Sequence, residues 1–463
     1  MNRSFSRRQV AAGLTGAAFG GLALYAGRAA LWPDAAESGS GGYGPLKADP
    51  AGLLDLPEGF SYNIVSAFGD RMDDGLLVPD SADGMGCFPL GGGRIALVRN
   101  HELRADEMAK GPAGKAGLRS GPAYDHARGA ALPGGTTTIV LNAASLKVEA
   151  QYLSLAGTIR NCAGGITPWG SWLTCEEDVT RAGQDGVARD HGWVFEVPAM
   201  HKGLVTPVAL TGLGRFRHEA ACIDPATGIV YLTEDRDEGL FYRFLPNEKG
   251  ALAKGGRLQA LALVDGLSDT RNWDESRKAG QDFAPHHPVQ ARWIDLDGTD
   301  SPDDDLRLRG AKAGAAMFAR AEGIWFGAGE AYFCCTSGGA AGFGQVMRYR
   351  PSSSEGQAGE KDEPGVLELF LESPSGKVFN YGDNLTVAPN GHLIVCEDQY
   401  TTFVDNHLRG ITPRGEVYTF ARLRSQTELA GACFSPDGQT LFVNHFHPAK
   451  TLAIRGPWAK LAA

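Results

Sequence analysis

Short apolar runs recur along this chain, each bracketed by polar residues, and six blocks share the layout. Asp83-Gly84 leads to Ile95-Ala96-Leu97-Val98 and then Asn100-His101-Glu102. Cys162-Ala163-Gly164-Gly165 leads to Ser171-Trp172-Leu173 and Glu176-Glu177, and His218-Glu219-Ala220 to Ile229-Val230-Tyr231-Leu232 and Glu234-Asp235. The later blocks run from Glu322-Gly323 to Thr336-Ser337, from Asp383-Asn384 to Glu397-Asp398, and from Glu428 and Ala430-Gly431 to Asn444-His445. The first polar residue and the second cluster are 14 to 17 residues apart in every block. Apolar runs this short, bounded by turn residues, predict strands. The turns have a mechanism in Pro225-Ala226-Thr227-Gly228, Pro389-Asn390-Gly391 and Ser435-Pro436-Asp437-Gly438: Pro presets φ, and Gly or Asn accepts positive φ. A strand unit repeated six times predicts an all-β fold, a six-bladed β-propeller whose first strands line a central channel. Helix is expected only over Ala311 to Phe318. The polar stretch from Pro351 to Pro364 reads as a mobile loop.

Composition agrees. With 63 Gly and 25 Pro in 463 residues, turns and short strands are favoured over long helices. One domain is expected over residues 45–463. Residues 1–30 read as a twin-arginine signal: Ser6-Arg7-Arg8-Gln9-Val10 precedes a weakly apolar, Gly- and Ala-rich run too short for a membrane span. Cleavage is expected between Ala26 and Ala36, and residues 31–44 read as a linker containing Ser38-Gly39-Ser40-Gly41-Gly42. The expected product is periplasmic or secreted, delivered folded by the twin-arginine export machinery, with no stable membrane insertion. The net charge of −10 becomes −14 once residues 1–30 and their four Arg are removed. An acidic chain excludes nucleic acid as a partner and suits one that binds cations.

Polar groups lining a channel are costly to bury unless they bind something. The channel candidates are mostly acids: Glu102, Glu176, Glu177, Glu219, Glu234, Asp235, Glu322, Asp383, Glu397 and Asp398. Converging carboxylates repel and raise one another's pKa, and multivalent cations relieve that. Oxygen-rich sites suit hard ions such as Ca²⁺ or Fe³⁺, while a thiolate from Cys162 biases one site toward a transition metal. The remaining Cys, including adjacent Cys334-Cys335, sit in apolar runs and read as small buried thiols. No Gly-x-Ser-x-Gly elbow, His-Glu-x-x-His or P-loop occurs. The acidic segment from Asp295 to Asp305 lacks the twelfth-position Glu of an EF-hand and reads as a solvated loop. His286-His287 beside Pro288 reads as incidental.

The run Arg160-Asn161-Cys162-Ala163-Gly164-Gly165-x-Thr167-Pro168-Trp169-Gly170-Ser171-Trp172-Leu173-Thr174-Cys175-Glu176-Glu177 resembles the signature of PhoX-type alkaline phosphatases. So do Gly214-Arg215-Phe216-x-His218-Glu219, Arg320-x-Glu322-Gly323, Gly382-Asp383-Asn384-Leu385 and Glu428-Leu429-Ala430-Gly431-x-x-Phe434-Ser435-Pro436-Asp437-Gly438. The chain departs from larger members in being shorter and in having Ala321 where they often carry Pro. The resemblance implies a metal cluster in the central channel of two Fe³⁺ and two or three Ca²⁺. It implies Cys162 as the thiolate on one iron and Glu219 and Glu322 as iron ligands. Glu177, Glu102, Asp383 and Glu397 complete the set, and Arg320 holds a phosphate oxygen.

An exported, monomeric phosphatase acting on small phosphate esters is the expected function. Clustered cations and Arg320 neutralise the phosphoryl oxygens, and a metal-bridging oxide or hydroxide is the expected nucleophile. Cys162, Glu322 and Arg320 are then the groups on which activity depends. Two alternatives stay open. A calcium-dependent propeller lactonase or phosphotriesterase would contain no iron, and a non-catalytic binding propeller would hydrolyse nothing.

Overall fold

The computed structural model describes residues 42–461, so the expected signal and most of the expected linker lie outside the described residues. The fold is all-β with few helices, and its strands form consecutive antiparallel meanders in a propeller-like arrangement. The first meander pairs Ala82–Gly91, Arg94–His101, Gly134–Asn142 and Val148–Thr158. The second pairs Asn161–Ile166, Ser171–Glu176 and Val194–Pro198. The third runs from His218–Ile223 through Val230–Glu234 and Gly239–Pro246 to Gly256–Leu263. The fourth is Ala321–Gly327, Glu330–Cys335, Gln345–Arg350 and Val366–Glu372. The fifth is Gly382–Val387, Leu393–Glu397, His407–Ile411 and Val417–Leu423. The sixth is Leu429–Phe434, Thr440–His445 and Lys450–Arg455, completed by the early strand Ser61–Ala67. That last pairing stitches the start of the domain to its end.

Each inner strand packs against the inner strand of the next meander, and Leu429–Phe434 packs against Ala82–Gly91, closing the order. The approach is tight: a Cβ at Gly84 would lie 2.5 Å from the Ala163 Cα, and one at Gly323 2.6 Å from the Asn384 Cα. Side chains peg the strands together. Asn100 donates to the Cys162 and Ala163 carbonyls at 3.0 and 2.8 Å, and Thr233 to the Glu322 carbonyl at 2.6 Å. Thr336 donates to the Gly382 carbonyl at 2.6 Å. Outside this ring the meanders bury apolar faces against one another; Phe241, Phe333, Phe318 and Tyr231 form one such cluster.

Three expectations need correction. The helix lies at Leu306–Lys312, and Met317–Phe318 is a strand that pairs with Gly239–Pro246. The span expected to be helical ends in Ala315, Ala316 and Phe318, all buried, and that segment is bound into the sheet instead. The stretch 351–364 is pinned: Arg243 donates to Glu355 at 2.6 Å and to Glu360, and stacks over Trp293 at 4.4 Å. Tyr43, expected in the linker, is buried among Phe60, Tyr418, Phe420 and Trp458, so the packed domain begins before residue 45. All eight cysteines are free and buried.

Candidate functional site

Every inner strand carries a bulge near its start. Register shifts lie between Ala82 and Met85, Asn161 and Gly164, His218 and Ala221, Ala321 and Ile324, and Gly382 and Leu385, and one residue later between Ala430 and Cys433. A bulge inserts one residue opposite the partner strand and re-aims a side chain. The residues it presents are Asp83, Cys162, Glu219, Glu322 and Asp383, with Gly431 at the matching position of the sixth strand. A backbone hydrogen bond marks the same level in all six. The carbonyls of Ser81, Arg160, Arg217, Arg320, Tyr381 and Glu428 accept from the N–H of Glu102, Glu177, Asp235, Thr336, Asp398 and Phe446, at 2.8–3.3 Å. Four of these acceptor residues hold left-handed backbone: Ser81, Arg160, Arg320 and Tyr381, with φ of 52°, 45°, 52° and 55°. For non-Gly residues that costs on the order of 1–3 kcal/mol each, tolerated where the surroundings over-determine it.

These residues surround a cavity of about 180 Å³ lined by Asp83, Glu102, Arg160, Cys162, Glu177, Arg217, Asp235, Arg320, Glu322, Thr336, Asp383, Asp398, Tyr400 and Glu428. Arg160 donates through Nε to Glu102 at 2.7 Å, through Nη2 to Glu177 at 2.5 Å, and through Nη1 to the Glu177 carbonyl. Arg320 forks onto Asp235 at 2.8 and 3.0 Å, reaches Glu322 at 2.8 Å and the Tyr400 hydroxyl at 3.2 Å, and lies over the Tyr400 ring.

Acids outnumber guanidinium groups. Burial first, then neighbouring carboxylates, push Asp83 and Glu219 well above the usual range. Glu322 and Glu428 are pushed up by burial and by Asp235 and Asp398 respectively. Glu177 is raised by burial despite Arg160, and Asp383 is raised to about 8 by burial and Asp398. Burial and the charges of Asp83 and Glu219 raise the Cys162 thiol, which donates to Asp83 at 3.6 Å. Burial and mutual repulsion thus favour a proton or a bound cation over bare negative charge at this site.

The donor set fits cations. Three overlapping groups each bring three potential ligand atoms within 4.8 Å of one another: Asp83, Glu102 and Cys162; Cys162, Glu177 and Glu219; Glu219, Glu322 and Asp383. The last is all oxygen, and the first two include sulfur. Both Glu219 oxygens and Asp83 Oδ1 are buried without any hydrogen-bond partner. A buried carboxylate with neither oxygen paired is unfavourable unless something positive meets it.

Of the expected residues, Cys162, Glu219, Glu322, Glu177, Glu102, Asp383 and Arg320 come together here. Glu397 does not, and its expected ligand role is corrected. Its oxygens accept from Asn380 N–H at 2.9 Å, Arg409 at 2.8 Å and His407 at 3.0 Å. Glu176 and Glu234 also leave the candidate channel set. Glu176 accepts from His191 and from the Ile159, Gly192 and Trp193 N–H groups, and Glu234 from Tyr242 and Leu240. Strand residues alternate faces, so the acid before each channel acid points away. Sequence reasoning missed Asp83 as a ligand candidate although it opens the first block. It also missed Arg160, Arg217, Tyr400 and Glu428, of which Arg160 opens the longest motif. His286 and His287 are exposed and outside the cavity.

Among curated proteins none matches this chain. Among solved structures, Pseudomonas fluorescens PhoX in complex with vanadate, a transition state analogue, is similar with a TM-score of 0.64 at 20% identity, over 89% of this chain and 97% of that one. Two looser likenesses are a Xanthomonas campestris gluconolactonase (TM-score 0.40, 11% identity, 89% and 98% covered) and a Pseudomonas aeruginosa periplasmic gluconolactonase (TM-score 0.39, 12% identity, 87% and 93% covered). The model of the alkaline phosphatase PhoX family matches residues 41–449. The chain belongs to the PhoX alkaline phosphatase family and is a phosphoric ester hydrolase of that type.

Proposed function

We propose that this chain is an exported phosphatase that hydrolyses small phosphate esters at a cluster of two ferric and two or three calcium ions in the channel of a six-bladed propeller. Glu219 carries the reading: both its oxygens are buried and unpartnered, and it belongs to two of the three candidate ligand groups. The closed order of the six inner strands supports six blades. Cys162 is assigned to iron because thiolate favours a transition metal. Glu219 and Glu322 are assigned with it, and Glu102, Glu177, Asp383 and Asp83 complete the site. When bound, the cations neutralise phosphate oxygens and acidify an attacking water.

The remaining work falls to the chain. Arg320 is locked by Asp235, Glu322 and Tyr400, yet its Nη1 makes none of these bonds and can donate to a phosphate oxygen. Thr336 stands where the first, second, third and fifth meanders have Glu102, Glu177, Asp235 and Asp398, so with Phe446 of the sixth it is one of two positions at this level without an acid to repel an anion. Twin-arginine export to the periplasm rests on Ser6-Arg7-Arg8-Gln9-Val10. Among the described residues no helix is long and apolar enough to cross a membrane. The test is hydrolysis of p-nitrophenyl phosphate by protein recovered folded from the periplasm, before and after chelation. Activity lost on chelation and restored by calcium and iron is expected; full activity in demonstrably metal-free protein would contradict the proposal.

A further inference from the structure

Arg217 holds the place in the third meander that Arg160 and Arg320 hold in the second and fourth. It immediately precedes the inner strand His218–Ile223, and its carbonyl accepts from Asp235 N–H at 3.3 Å, as theirs do from Glu177 and Thr336 at 2.9 and 3.0 Å. All three side chains line the cavity. Their donors differ in availability. Every guanidinium nitrogen of Arg160 is bonded to Glu102 or Glu177, and Arg320 is engaged through Nε and Nη2. The Arg217 guanidinium makes no hydrogen bond among the described residues. Its Nε is buried and unsatisfied, and its nearest carboxylate contact is Glu177 at 3.9 Å, beyond hydrogen-bonding reach. A buried N–H without an acceptor is unfavourable, and a planar fork of free donors at an anion site matches phosphate geometry.

We propose that Arg217 is a second phosphate-binding arginine that takes a non-bridging oxygen of a phosphomonoester and sets the preference for monoesters over diesters. The proposal rests on the phosphatase reading above. A monoester dianion presents three non-bridging oxygens and a diester anion two. With cations and Arg320 Nη1 taking two oxygens, only a monoester has a third for Arg217.

The experiment compares wild type, Arg217→Ala and Arg217→Lys as metal-loaded proteins. It measures kcat/KM for p-nitrophenyl phosphate and bis-p-nitrophenyl phosphate, inhibition by inorganic phosphate, and metal content. Arg217→Ala is expected to weaken monoester kcat/KM and phosphate inhibition at least about tenfold, the worth of one charge-assisted hydrogen bond. Diester turnover and metal content stay near wild type, and Arg217→Lys recovers part of the loss. Equal losses on both esters, unchanged phosphate inhibition, or loss of metal with the variant would overturn the role of Arg217 while leaving the phosphatase reading intact. A metal-loaded wild type that hydrolyses neither ester would overturn the reading, and the proposal with it.

Discussion

Glu176, Glu234 and Glu397 end the second strands of their meanders, and Glu177, Asp235 and Asp398 follow by one residue. Glu176 and Glu397 are saturated, whereas Glu234 keeps one buried oxygen without a partner. Glu176 accepts from His191 and three backbone N–H groups, and Glu397 from Asn380, Arg409 and His407. The second set lines the cavity, facing Asp83, Glu219 and Glu322, and Glu219 lacks any donor. Every member is an acid, and within each pair the chain position differs by one. What separates Glu176 and Glu397 from the cavity group is whether the protein supplies donors enough: around the cavity Arg160 and Arg320 serve Glu177 and Asp235, and none is left for Glu219. Where it does, a buried acid is a rivet between a strand end and its loop. Where it does not, the acid is available to a ligand.

The sharpest way to break this comparison is to remove candidate ligands at the cavity and, separately, to neutralise the saturated acids. Cys162→Ala, Glu219→Gln and Glu322→Gln are each expected to lower kcat/KM by more than about 100-fold, since even groups supporting metal ligands are worth about 10–100-fold. The metal-free Glu219→Gln variant should melt no lower than metal-free wild type, because Glu219 has no hydrogen-bond partner to lose; circular dichroism and steady-state kinetics check both halves. Glu176→Gln and Glu397→Gln should do the reverse. Each leaves a buried cationic partner unpaired, an expected stability loss of about 3–5 kcal/mol in urea titration. Turnover per folded molecule should fall far less.

Proton linkage separates the sets next. Burial alone would lower His191, but Glu176 and Asp125 outweigh it and raise it to about 9. Its stabilisation is complete below pH 6.5 and is lost as pH rises through 9. Burial opposes the shift of Asp125, yet His191 and the Arg189, His126 and Ala188 N–H groups hold it at about 2, so its contribution is lost only as pH falls through 2. Asp383, raised from 3.8 to about 8 by burial and Asp398, costs the metal-free fold stability that accumulates as pH rises from 3.8 and levels off above about 8. Metal-free stability should therefore fall between pH 6.5 and 9 by roughly 2–3 kcal/mol from His191 alone. His191→Gln should flatten that segment, and calcium and iron should offset the Asp383 component. The smallest effects belong to acids and histidines in neither set. Asp303→Asn and His287→Ala should change stability by less than about 0.5 kcal/mol and leave kinetics unchanged.

Much of this was legible in the sequence, for a physical reason. Each block opens at the bulge that turns a side chain inward and closes at the opposing strand end, so polar residues recur at fixed separation around an apolar run. Which of two adjacent acids faces inward was not legible. Alternation says that Glu176 and Glu177 differ, but only the register and the bulge say which is which. Glu397 was misassigned for that reason, and Asp83 was passed over although it begins the first block. Arg217 gave no signal because its meaning lies in donors left unpaired, which is a property of its neighbours. The helix expected over Ala311 to Phe318 gives way at its end because strand pairing at Met317–Phe318 outcompetes local helix propensity.

The central claim is that the unsaturated acids and Cys162 hold clustered cations while the saturated acids do not. Elemental analysis of folded, exported protein tests it most directly, run on wild type, Glu219→Gln and Glu397→Gln together. The account predicts about two irons and at least two calcium ions per chain in wild type and in folded Glu397→Gln, on the ligand logic above, with iron lost from Glu219→Gln. Iron absent from active wild type, or retained in full by Glu219→Gln, would contradict it.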